Sequence, residues 1–395
     1  MFKTGIPIVG IGAVTGYGWG IDTMWDGLSS GRPAAQQWHE LGGRFPEGCW
    51  FARVPEGEGP ARENSGTSRY AQAYAAAVDE ALQDARDAGW EPGERVAIVH
   101  ATTRADLELM RTRYLDPGSV SPRRSYVEQA WTTPPGMAMI RHQFSGPSLV
   151  VSAACSSGLH ALAVAQRLLD CGDATDVVVT AADIGFDGEE MTLFASLGPL
   201  IHDAPPEAVC RPFQSGSRGF VLGEAAAAVV LSRSATARPY ARLLSSTLGN
   251  DAYHPVAIKP DHVQMLRVVD DALAAAGTVR SEVEYYSAHG TGTEECNQAD
   301  TAVLDHLGQA AGYGLKPLLG HTMGAAPLMD TVVMAASYRE GRLPVPKPVS
   351  DGHPRLARDA IERDSGITLQ LGIGFGGNIS AAVFDAPPPP GQAAA

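Results

Sequence analysis

The chain has 395 residues, 44% of them hydrophobic and 19% charged, which is enough to bury the core of one large or two smaller domains. Acidic side chains outnumber basic ones by 44 to 30, so the net charge of −14 argues against nucleic acid or an anionic membrane as the main partner. No apolar run reaches the roughly 18 residues that a membrane-spanning helix needs.

The five cysteines are scattered and odd in number, and no two of them form a CxxC pair. A disulfide framework or a zinc site is therefore not expected, no other metal site is indicated, and a reducing cytoplasm is the predicted location. The N-terminal segment is apolar but interrupted by glycines, so it predicts a strand and a turn rather than a signal peptide.

Short apolar segments alternate with alanine-rich segments along the chain, a pattern typical of an α/β protein. Two helix faces are expected to lie in the core because their apolar residues repeat at helical spacing. These faces contain Tyr70, Tyr74, Val78 and Leu82 in the first half, and Leu266, Val269 and Leu273 in the second. The predicted strands are 6–14, 96–101, 148–153, 177–182, 225–231, 285–288, 367–373 and 379–384.

Two segments share one plan and suggest an internal duplication. GPSLVVSAACSSGLHALAVAQRLL predicts a strand, a sharp turn and an alanine-rich helix, and LKPLLGHTMGAAPLMDTVVMAASYREG repeats this plan in the second half. Each places a reactive side chain, Cys155 or His321, at a helix start. A duplicated fold explains the similarity, with its seam near Arg238 and Pro239. The proline-rich tail 386–395 is expected to be disordered.

Cys155 follows a predicted strand and opens a helix of small residues, SSGLHALAVAQ. A thiol at a helix N-terminus feels the positive end of the helix dipole, which lowers its pKa from about 8.5 and favours the thiolate. The small neighbours keep the approach to the sulfur open. A nucleophile is therefore one interpretation, and a buried structural cysteine, the common use of free cysteines, is the other.

Two histidines and a lysine lie in comparable settings. His289 ends the predicted strand 285–288 and opens the glycine-rich turn HGTGT, and His321 lies in GHTMGAA, where small residues leave room for a substrate. Taken singly, each histidine also fits a structural role. Lys316 lies between apolar neighbours, which predicts that it is buried and has a partner.

Five motifs together resemble those of the β-ketoacyl-acyl-carrier-protein synthases, which are condensing enzymes of the thiolase superfamily. They are GPS…AACSSGLHA around Cys155, RPFQSGSRGFVLGEAAAAVVL at 211–231, SAHGTGT at 287–293, K…GHTMGAA at 316–326 and GFGGN at 374–378. Their order and spacing match the family over essentially the whole chain. The resemblance implies a thiolase-like fold, layered αβαβα, with two similar halves at 1–238 and 239–385.

The resemblance also implies a reaction. Cys155 accepts an acyl chain from a carrier-protein thioester, and His289 and His321 bind the carbonyl of a malonyl-type extender and stabilise the enolate that decarboxylation leaves. This chemistry suits the residue types, because a Claisen condensation needs a soft nucleophile that is also a good leaving group. Neutral imidazole N–H groups are suitable donors to a developing enolate oxygen.

Further residues receive supporting roles from the same resemblance. Lys316 resembles the family lysine that supports the catalytic centre, and the backbone N–H groups of Cys155 and Phe375 would form the oxyanion hole. Phe375 also resembles the gate beside the nucleophile, and Thr291 and Thr293 resemble the residues that hydrogen-bond the pantetheine arm. No bound cofactor is expected, because the substrates arrive on the phosphopantetheine arm of an acyl carrier protein.

Several positions depart from the family pattern. Asn297 and Asp300 stand where an acidic residue and then a glutamate usually follow HGTGT, and Gln214 replaces the aspartate of an RPFD-type motif. The serine or threonine pair before Lys316 and the threonine after GFGG are missing. These changes leave the three catalytic side chains intact and indicate a divergent, discrete type II member in polyketide or specialised fatty-acyl biosynthesis.

Two alternatives remain open, and two others are disfavoured. A degradative thiolase needs a second cysteine, which GIGFGGN lacks, and papain-like signatures such as CGSCW are absent. A largely non-catalytic ketosynthase-like partner subunit would share this fold, although such proteins typically replace the active cysteine. A ketosynthase-fold acyltransferase that forms an ester or amide stays open because of Asn297, Asp300 and Gln214.

The expected partners are an acyl carrier protein and either a second copy of the chain or a related ketosynthase-like subunit. Carrier proteins of this class are generally acidic, as is this chain, so docking needs a local group of cations. The candidates are Arg111, Arg113, Arg123 and Arg124 in RTRYLDPGSVSPRR, with Arg62 and Arg69 as a second option. A solvated loop whose charges only aid solubility explains the same residues.

Overall fold

The protein is described here by a computed structural model. The structure describes residues 5–39, 41, 45, 47–57, 68–115, 126–233 and 238–386. Within these residues the α-helices are α1 (Ile21–Ser29), α2 (Arg69–Asp87), α3 (Leu107–Leu115), α4 (Thr133–His142), α5 (Ser157–Cys171), α6 (Gly188–Ala195), α7 (Pro206–Val209), α8 (Val263–Ala276), α9 (Glu294–Leu307), α10 (Lys316–Leu319) and α11 (Ala326–Glu340). Single 3₁₀ turns are formed by Arg280–Glu282 and Met323–Ala325.

The strands are β1 (Ile6–Thr15), β2 (Gly18–Trp19), β3 (Gln36–Trp38), β4 (Cys49–Phe51), β5 (Val96–Ala101), β6 (Ser148–Val151), β7 (Asp176–Asp183), β8 (Ala225–Ser232), β9 (Ala241–Asn250), β10 (Val283–Ser287), β11 (Ala311–Tyr313), β12 (Arg342–Leu343), β13 (Ile361–Glu362), β14 (Ile367–Gly374) and β15 (Asn378–Asp385). Each of the predicted strands overlaps one of them, so those predictions are confirmed.

One mixed sheet runs through the molecule in the order β11-β10-β14-β15-β9-β1-β8-β7-β5-β6, with β2 beside β1. Strands from the first half of the chain form one side of this order, and strands from the second half form the other. The sides meet where β1 pairs antiparallel with β9 over Ile6–Leu243, Pro7–Arg242 and Ile8–Ala241. The strand β9, which the sequence did not predict, therefore joins the two halves.

Helices α5 and α11 pack against each other between the strands of the first half of the chain and those of the second half. Each helix contacts strands from both halves. Their N-termini approach closely because Gly158 has no side chain: a Cβ there would lie 2.6 Å from the backbone nitrogen of Leu328. Helix α2 covers β1 and β8 on one outer face, and α8 covers β9 and β15 on the other. The layers are thus αβαβα, which confirms the predicted thiolase-like fold.

The two predicted apolar helix faces lie in the core. On α2 the predicted stripe is buried at every position, and the helix begins where the Ser68 side chain accepts a hydrogen bond from the N–H of Ala71. On α8, Val269 and Leu273 are buried, while Leu266 is partly buried against the same cluster. Among the described residues, no helix combines the length and the apolar character needed to cross a membrane.

The segment at the predicted seam between the halves and the C-terminal tail are described only in part. The chain passes from one half to the other between β8 and β9, and residues 234–237 next to the predicted seam lie outside the described residues. Residues 387–395 of the predicted tail also lie outside them. Ala386, the first residue assigned to that tail, is described and buried directly after β15.

Candidate active site

Cys155 lies in a tight turn between β6 and α5. Ala154 adopts a left-handed conformation (φ 50°), a strained backbone for a residue with a side chain, at a cost of about 1–3 kcal/mol. Ser157 holds the turn, since its Oγ accepts a hydrogen bond from the N–H of Ala153 at 2.8 Å and donates one to the carbonyl of Ala154 at 2.5 Å. The turn therefore fixes the thiol just before the first residue of α5.

The resting state of this thiol differs from the sequence-based expectation. Burial raises the pKa of Cys155 to about 12, while the positive charge of Lys316 acts in the opposite direction. Only 6% of the residue is exposed, and the loss of solvation outweighs the helix N-terminus that predicted a lowered pKa. The sulfur is therefore a protonated thiol at neutral pH, and its proton leaves when it attacks a substrate.

The turn that contains His289 is anchored by the buried carboxylate of Asp300. The backbone N–H groups of His289 and Gly290 donate to this carboxylate at 3.1 and 2.8 Å, and the hydroxyl of Tyr286 donates to it at 2.7 Å. Because Asp300 lies on α9, one helix fixes both the end of β10 and the imidazole that follows it. Asp300, noted above as a departure from the family, thus has a structural role.

His321 lies in a loop between α10 and the 3₁₀ turn Met323–Ala325, five residues before α11 begins. This corrects two expectations: His321 follows a short helix rather than a strand, and it does not lie directly at the start of the long helix. Its N–H donates to the carbonyl of Val221 at 2.8 Å, and its carbonyl accepts from Gly223 at 3.0 Å. The RPFQSGSRGFVLGE motif therefore holds the backbone of this histidine.

The two imidazoles face each other edge to face, with ring centroids 5.8 Å apart. Burial, together with the charge of Lys316, holds the pKa values of both His289 and His321 well below the usual range, so both rings are neutral at pH 7. A neutral ring can donate one N–H to a substrate oxygen. Within the described residues, Nδ1 of His321 has no hydrogen-bond partner.

Lys316 is buried, as its apolar neighbours predicted, and its Nζ donates a hydrogen bond to the backbone carbonyl of His289. It thus links the two histidine-bearing segments. Asp330 on α11 is also buried, and burial raises its pKa to about 6 although the charge of Lys316 acts to lower it. At pH 7.5 the lysine ammonium thus has a mostly ionised carboxylate in its electrostatic environment.

A single cavity of about 440 Å³ brings the motif residues together. Its lining includes Cys155, His289, Thr291, Thr293, His321 and Phe375. The hydroxyls of Thr291 and Thr293 lie 3.2 Å apart, and Thr293 also caps α9. The structure therefore places every predicted catalytic, gate and pantetheine-binding residue on one cavity, except Lys316, which is buried behind His289.

Phe375 and the nucleophile turn are close neighbours. A Cβ on Gly374 would lie 2.5 Å from the backbone oxygen of Ala153 and 3.2 Å from the backbone nitrogen of Cys155, so the GFGGN loop can pass here only with glycine at this position. The ring of Phe375 lies 6.2 Å from that of Phe194, which is 5.9 Å from Phe220. Phe220 in turn contacts His321, with 4.7 Å between ring centroids. A series of neighbouring aromatic rings thus connects Phe375 to His321.

Two further departures from the family pattern, Asn297 and Gln214, support backbone outside the cavity. Asn297 Oδ1 accepts a hydrogen bond from the N–H of Phe213 at 3.2 Å. Gln214 Oε1 accepts from the N–H groups of Val349 and Ser350 at 2.8 and 3.3 Å. Of the described residues that line the cavity, none is Asn297, Asp300 or Gln214. These substitutions therefore do not change its chemical surface.

The predicted docking cations have different environments. Arg111 forms an ion pair with Asp187 at 2.6 Å, and Arg113 is half-buried. Arg69 is buried and forms an ion pair with Glu224 at 2.7 Å, so it cannot be a docking residue. Arg62, Arg123 and Arg124 lie outside the described residues.

Sequence reasoning missed the residues that act around the motifs. Asp183 and Asp330 are buried acids that interact electrostatically with Cys155 and Lys316, respectively, and Phe194 and Phe220 line the cavity. An acid at the end of an apolar strand, as in VVVTAAD, is the sequence signal that could have identified Asp183.

Two protein-family models match the sequence of the chain. The N-terminal domain of β-ketoacyl synthases matches residues 3–237, and the C-terminal domain matches residues 240–348. The tetracenomycin polyketide synthase ketoacyl synthase alpha subunit of Streptomyces glaucescens is 28% identical over 97% of this chain and 97% of its own length. A 3-oxoacyl-[acyl-carrier-protein] synthase 2 of Rhizobium meliloti is 26% identical over 96% and 98%.

Solved structures share the fold. A type II polyketide ketosynthase, bound to a hexaketide and in complex with its acyl-carrier protein, superposes with a TM-score of 0.84 at 23% identity, over 97% of this chain and 99% of that one. The ishigamide ketosynthase/chain length factor has a TM-score of 0.83 at 24% identity, over 97% and 99%. The chain therefore belongs to the β-ketoacyl synthase family of acyltransferase-type condensing enzymes.

Proposed function

We propose that this protein elongates an acyl chain by decarboxylative Claisen condensation, with Cys155 as the nucleophile and His289 and His321 as the enolate-binding residues. The observation that carries the proposal is that the thiol and both neutral imidazoles line one cavity. Specialised polyketide or fatty-acyl biosynthesis is the proposed setting, in agreement with the polyketide and fatty-acid synthases among its relatives.

In the first half-reaction, the Cys155 sulfur attacks the carbonyl of an acyl thioester on a carrier protein. A new carbon–sulfur bond forms, the carrier thiolate leaves, and the proton of Cys155 passes to it. The N–H groups of Cys155 and Phe375 are proposed to stabilise the oxyanion of the intermediate. Their neighbouring backbone segments, which meet at Gly374, support this assignment.

In the second half-reaction, a malonyl-type thioester loses carbon dioxide, and the electron pair of the broken bond forms an enolate. The N–H groups of His289 and His321 donate to its oxygen, and Lys316 holds the backbone of His289 in place. The enolate carbon attacks the acyl group on Cys155, the carbon–sulfur bond breaks, and the β-ketoacyl product leaves on the carrier. The cysteine thiolate then regains a proton.

The substrates are proposed to arrive on a phosphopantetheine arm. Thr291 and Thr293 offer hydroxyls along the cavity, and amides of such an arm are suitable partners for them. The solved polyketide relative was captured with its acyl-carrier protein, which supports the same kind of partner here. All five cysteines are free, in agreement with a cytoplasmic location.

A second subunit is proposed to cover the edge of the sheet at β6. In the described part of the chain, β6 pairs only with β5, and Leu149 on β6 is 39% exposed. Met137 and Ile140 on α4 are 51% and 65% exposed and line a separate cavity of about 640 Å³. Open apolar strand edges are usually paired. A second copy or a related subunit fits, as in solved ketosynthases with a chain length factor.

Product analysis tests the proposed reaction directly. We expect acyl-carrier protein and malonyl-carrier protein together to give a β-ketoacyl-carrier protein, with one carbon dioxide released per product, measured by intact-protein mass spectrometry. An acyltransferase would instead release the acyl group to an added amine or alcohol without consuming malonyl groups. A non-catalytic subunit would not form the acyl-Cys155 thioester at all, and either result would contradict the proposal.

Carrier docking is predicted to depend on Arg123 and Arg124. The double charge reversal Arg123→Glu/Arg124→Glu is expected to raise the KM for acyl-carrier protein about tenfold at low salt, because surface charge mainly affects encounter. Activity with a small acyl-pantetheine mimic should stay near that of the parent. The difference should shrink above 0.1 M salt, where the Debye length is about 10 Å.

The matched control is Arg267→Glu, which reverses an exposed cation on α8. If the double variant has the same KM for acyl-carrier protein at low salt as the Arg267→Glu control, the docking surface lies elsewhere, on this chain or on a partner subunit.

A further inference from the structure

Asp183 is a buried carboxylate at the last residue of β7, and only 1% of it is exposed. One carboxylate oxygen accepts hydrogen bonds from the hydroxyl of Thr102 at 3.1 Å, and from the N–H and hydroxyl of Thr103, both at 2.9 Å. The other oxygen accepts from the N–H of Gly324 at 2.8 Å. All four partners are donors, an arrangement that suits an ionised carboxylate.

The bond to Gly324 connects this carboxylate to the loop that carries His321. Gly324 lies in the 3₁₀ turn Met323–Ala325, directly after Met323, whose backbone is left-handed (φ 53°). A Cβ on Gly324 would lie 2.8 Å from Cγ2 of Thr103 and 3.0 Å from Oδ2 of Asp183. The loop therefore packs directly on the carboxylate, and a strained turn is held by one charge-assisted hydrogen bond.

The same Gly324 also adjoins the nucleophile side of the site. Its Cβ position would lie 3.1 Å from the Cβ of Ser157, the first residue of α5, whose hydroxyl holds the Cys155 turn. Asp183 thus lies where the histidine loop and the nucleophile turn meet.

Two charged side chains have opposite effects on the pKa of Cys155. Lys316 on α10 lowers the pKa of Cys155, and Asp183 on β7 raises it. Of the other titratable groups on the cavity, His289 and His321 are neutral. The remaining ones that line it are Arg218, Asp251, His254, Glu294, Glu295 and Cys296. Burial raises the pKa of Asp183 itself to about 6, so at pH 7.5 the carboxylate is mostly ionised.

We propose that Asp183 is a positioning residue that fixes the His321 loop against the Cys155 turn, and that its negative charge opposes a free thiolate at Cys155 before substrate binds. This role rests on the proposed condensation. An acylated sulfur carries no charge, so Asp183 does not oppose the acyl-enzyme. The carboxylate thus raises the free energy of the Cys155 thiolate relative to both the neutral thiol and the acyl-enzyme, and it keeps the enolate-binding histidine in position.

The variant Asp183→Asn tests both parts. Asparagine has one acceptor oxygen instead of two, so it cannot accept from the N–H groups of both Gly324 and Thr103. The loop is then held by an uncharged hydrogen bond or by none, and the negative charge that acts on the Cys155 sulfur disappears. We expect iodoacetamide to label Cys155 about tenfold faster at pH 7.5, with the pH midpoint of labelling moved to lower pH. Labelling is measured by peptide mapping in a Cys171→Ala background, because Cys171 is exposed.

Condensation by the same variant is expected to slow at least about tenfold while the rate of Cys155 acylation by acyl-carrier protein does not fall. Gly324→Ala, which crowds the carboxylate, should slow condensation similarly without moving the labelling midpoint. Combined with Asp183→Asn, it should cost less than the sum of the two single effects, because both perturb one contact.

Asp176→Asn is the matched control. Asp176 is a buried carboxylate at the other end of β7. It accepts hydrogen bonds from the indole N–H of Trp90 at 3.0 Å and from the backbone N–H of Gly93 at 2.9 Å. Its replacement should lower the melting temperature but leave the labelling midpoint and the ratio of acylation to condensation unchanged. Equal labelling profiles for the parent and Asp183→Asn would overturn the electrostatic role, and equal condensation rates would overturn the positioning role.

The labelling experiment needs no condensation activity. A parent protein that forms no β-ketoacyl product contradicts the proposed function, whereas the labelling profile still decides the effect of Asp183 on Cys155.

Discussion

Cys155→Ala is expected to abolish both acyl-enzyme formation and condensation, with a loss of at least about a thousandfold in turnover. The reason is that no other cysteine on the described cavity has a comparable position. Cys296 also lines it, but its Sγ donates a hydrogen bond to Asp300 at 3.2 Å. Intact-protein mass spectrometry after incubation with acyl-carrier protein measures the effect as loss of the acyl mass increment.

The controls for this prediction are the other thiols. Cys171→Ala removes an exposed cysteine, and Cys210→Ala removes a buried one whose Sγ lies 3.6 Å from the carbonyl of Thr291. Acylation of Cys155 should persist in both variants. Peptide mapping that places the acyl group on Cys171 or Cys296 in the parent would show that the nucleophile has been assigned to the wrong residue.

Folding is expected to survive the Cys155→Ala change, which makes the loss of activity interpretable. The substitution removes one sulfur atom from a buried position and leaves a small cavity, so the free energy of unfolding should fall by about 1 kcal/mol. The melting temperature, compared with that of the parent, checks this.

Most strands that could be predicted from the sequence are buried on both faces; β6, whose residues are exposed or half-buried, is an exception. Strands β5, β7 and β8 are buried at every residue and appear in the sequence as continuous apolar runs. The strand β9 was missed because its sequence, ARLLSSTLGN, is rich in polar and small residues. Its place between β1 and β15 is set by pairing with distant strands, which no local pattern reports.

The residues of the site could be predicted from the sequence, but their electrostatic environment could not. Glycine-rich turns mark Cys155, His289 and Phe375 in the sequence, and the structure places them on one cavity. The raised pKa of Cys155 and the lowered pKa of His289 arise from burial by segments far away in the chain. The same holds for Asp300, whose role became clear only through its bonds to the His289 turn.

His289→Ala and His321→Ala are each expected to slow condensation by about a hundredfold or more while Cys155 can still be acylated. Each variant removes one N–H donor to the developing enolate oxygen, a loss of about 3 kcal/mol in the transition state. Because both imidazoles are neutral at pH 7, they act as donors and not as cations, so the loss should be similar from pH 7 to pH 8. Single-turnover assays that follow acyl-enzyme formation and product release separately measure the two steps.

Two further variants make the histidine prediction specific. His321→Gln keeps a side-chain N–H donor and is expected to recover part of the activity that His321→Ala loses. His306→Ala removes a histidine on α9 that pairs with Asp270 at 2.9 Å outside the cavity, and it should condense like the parent. If His289→Ala or His321→Ala condenses at the parent rate, that ring only packs against its neighbours, and the enolate must bind to another donor, with the backbone N–H groups near Phe375 as the next to test.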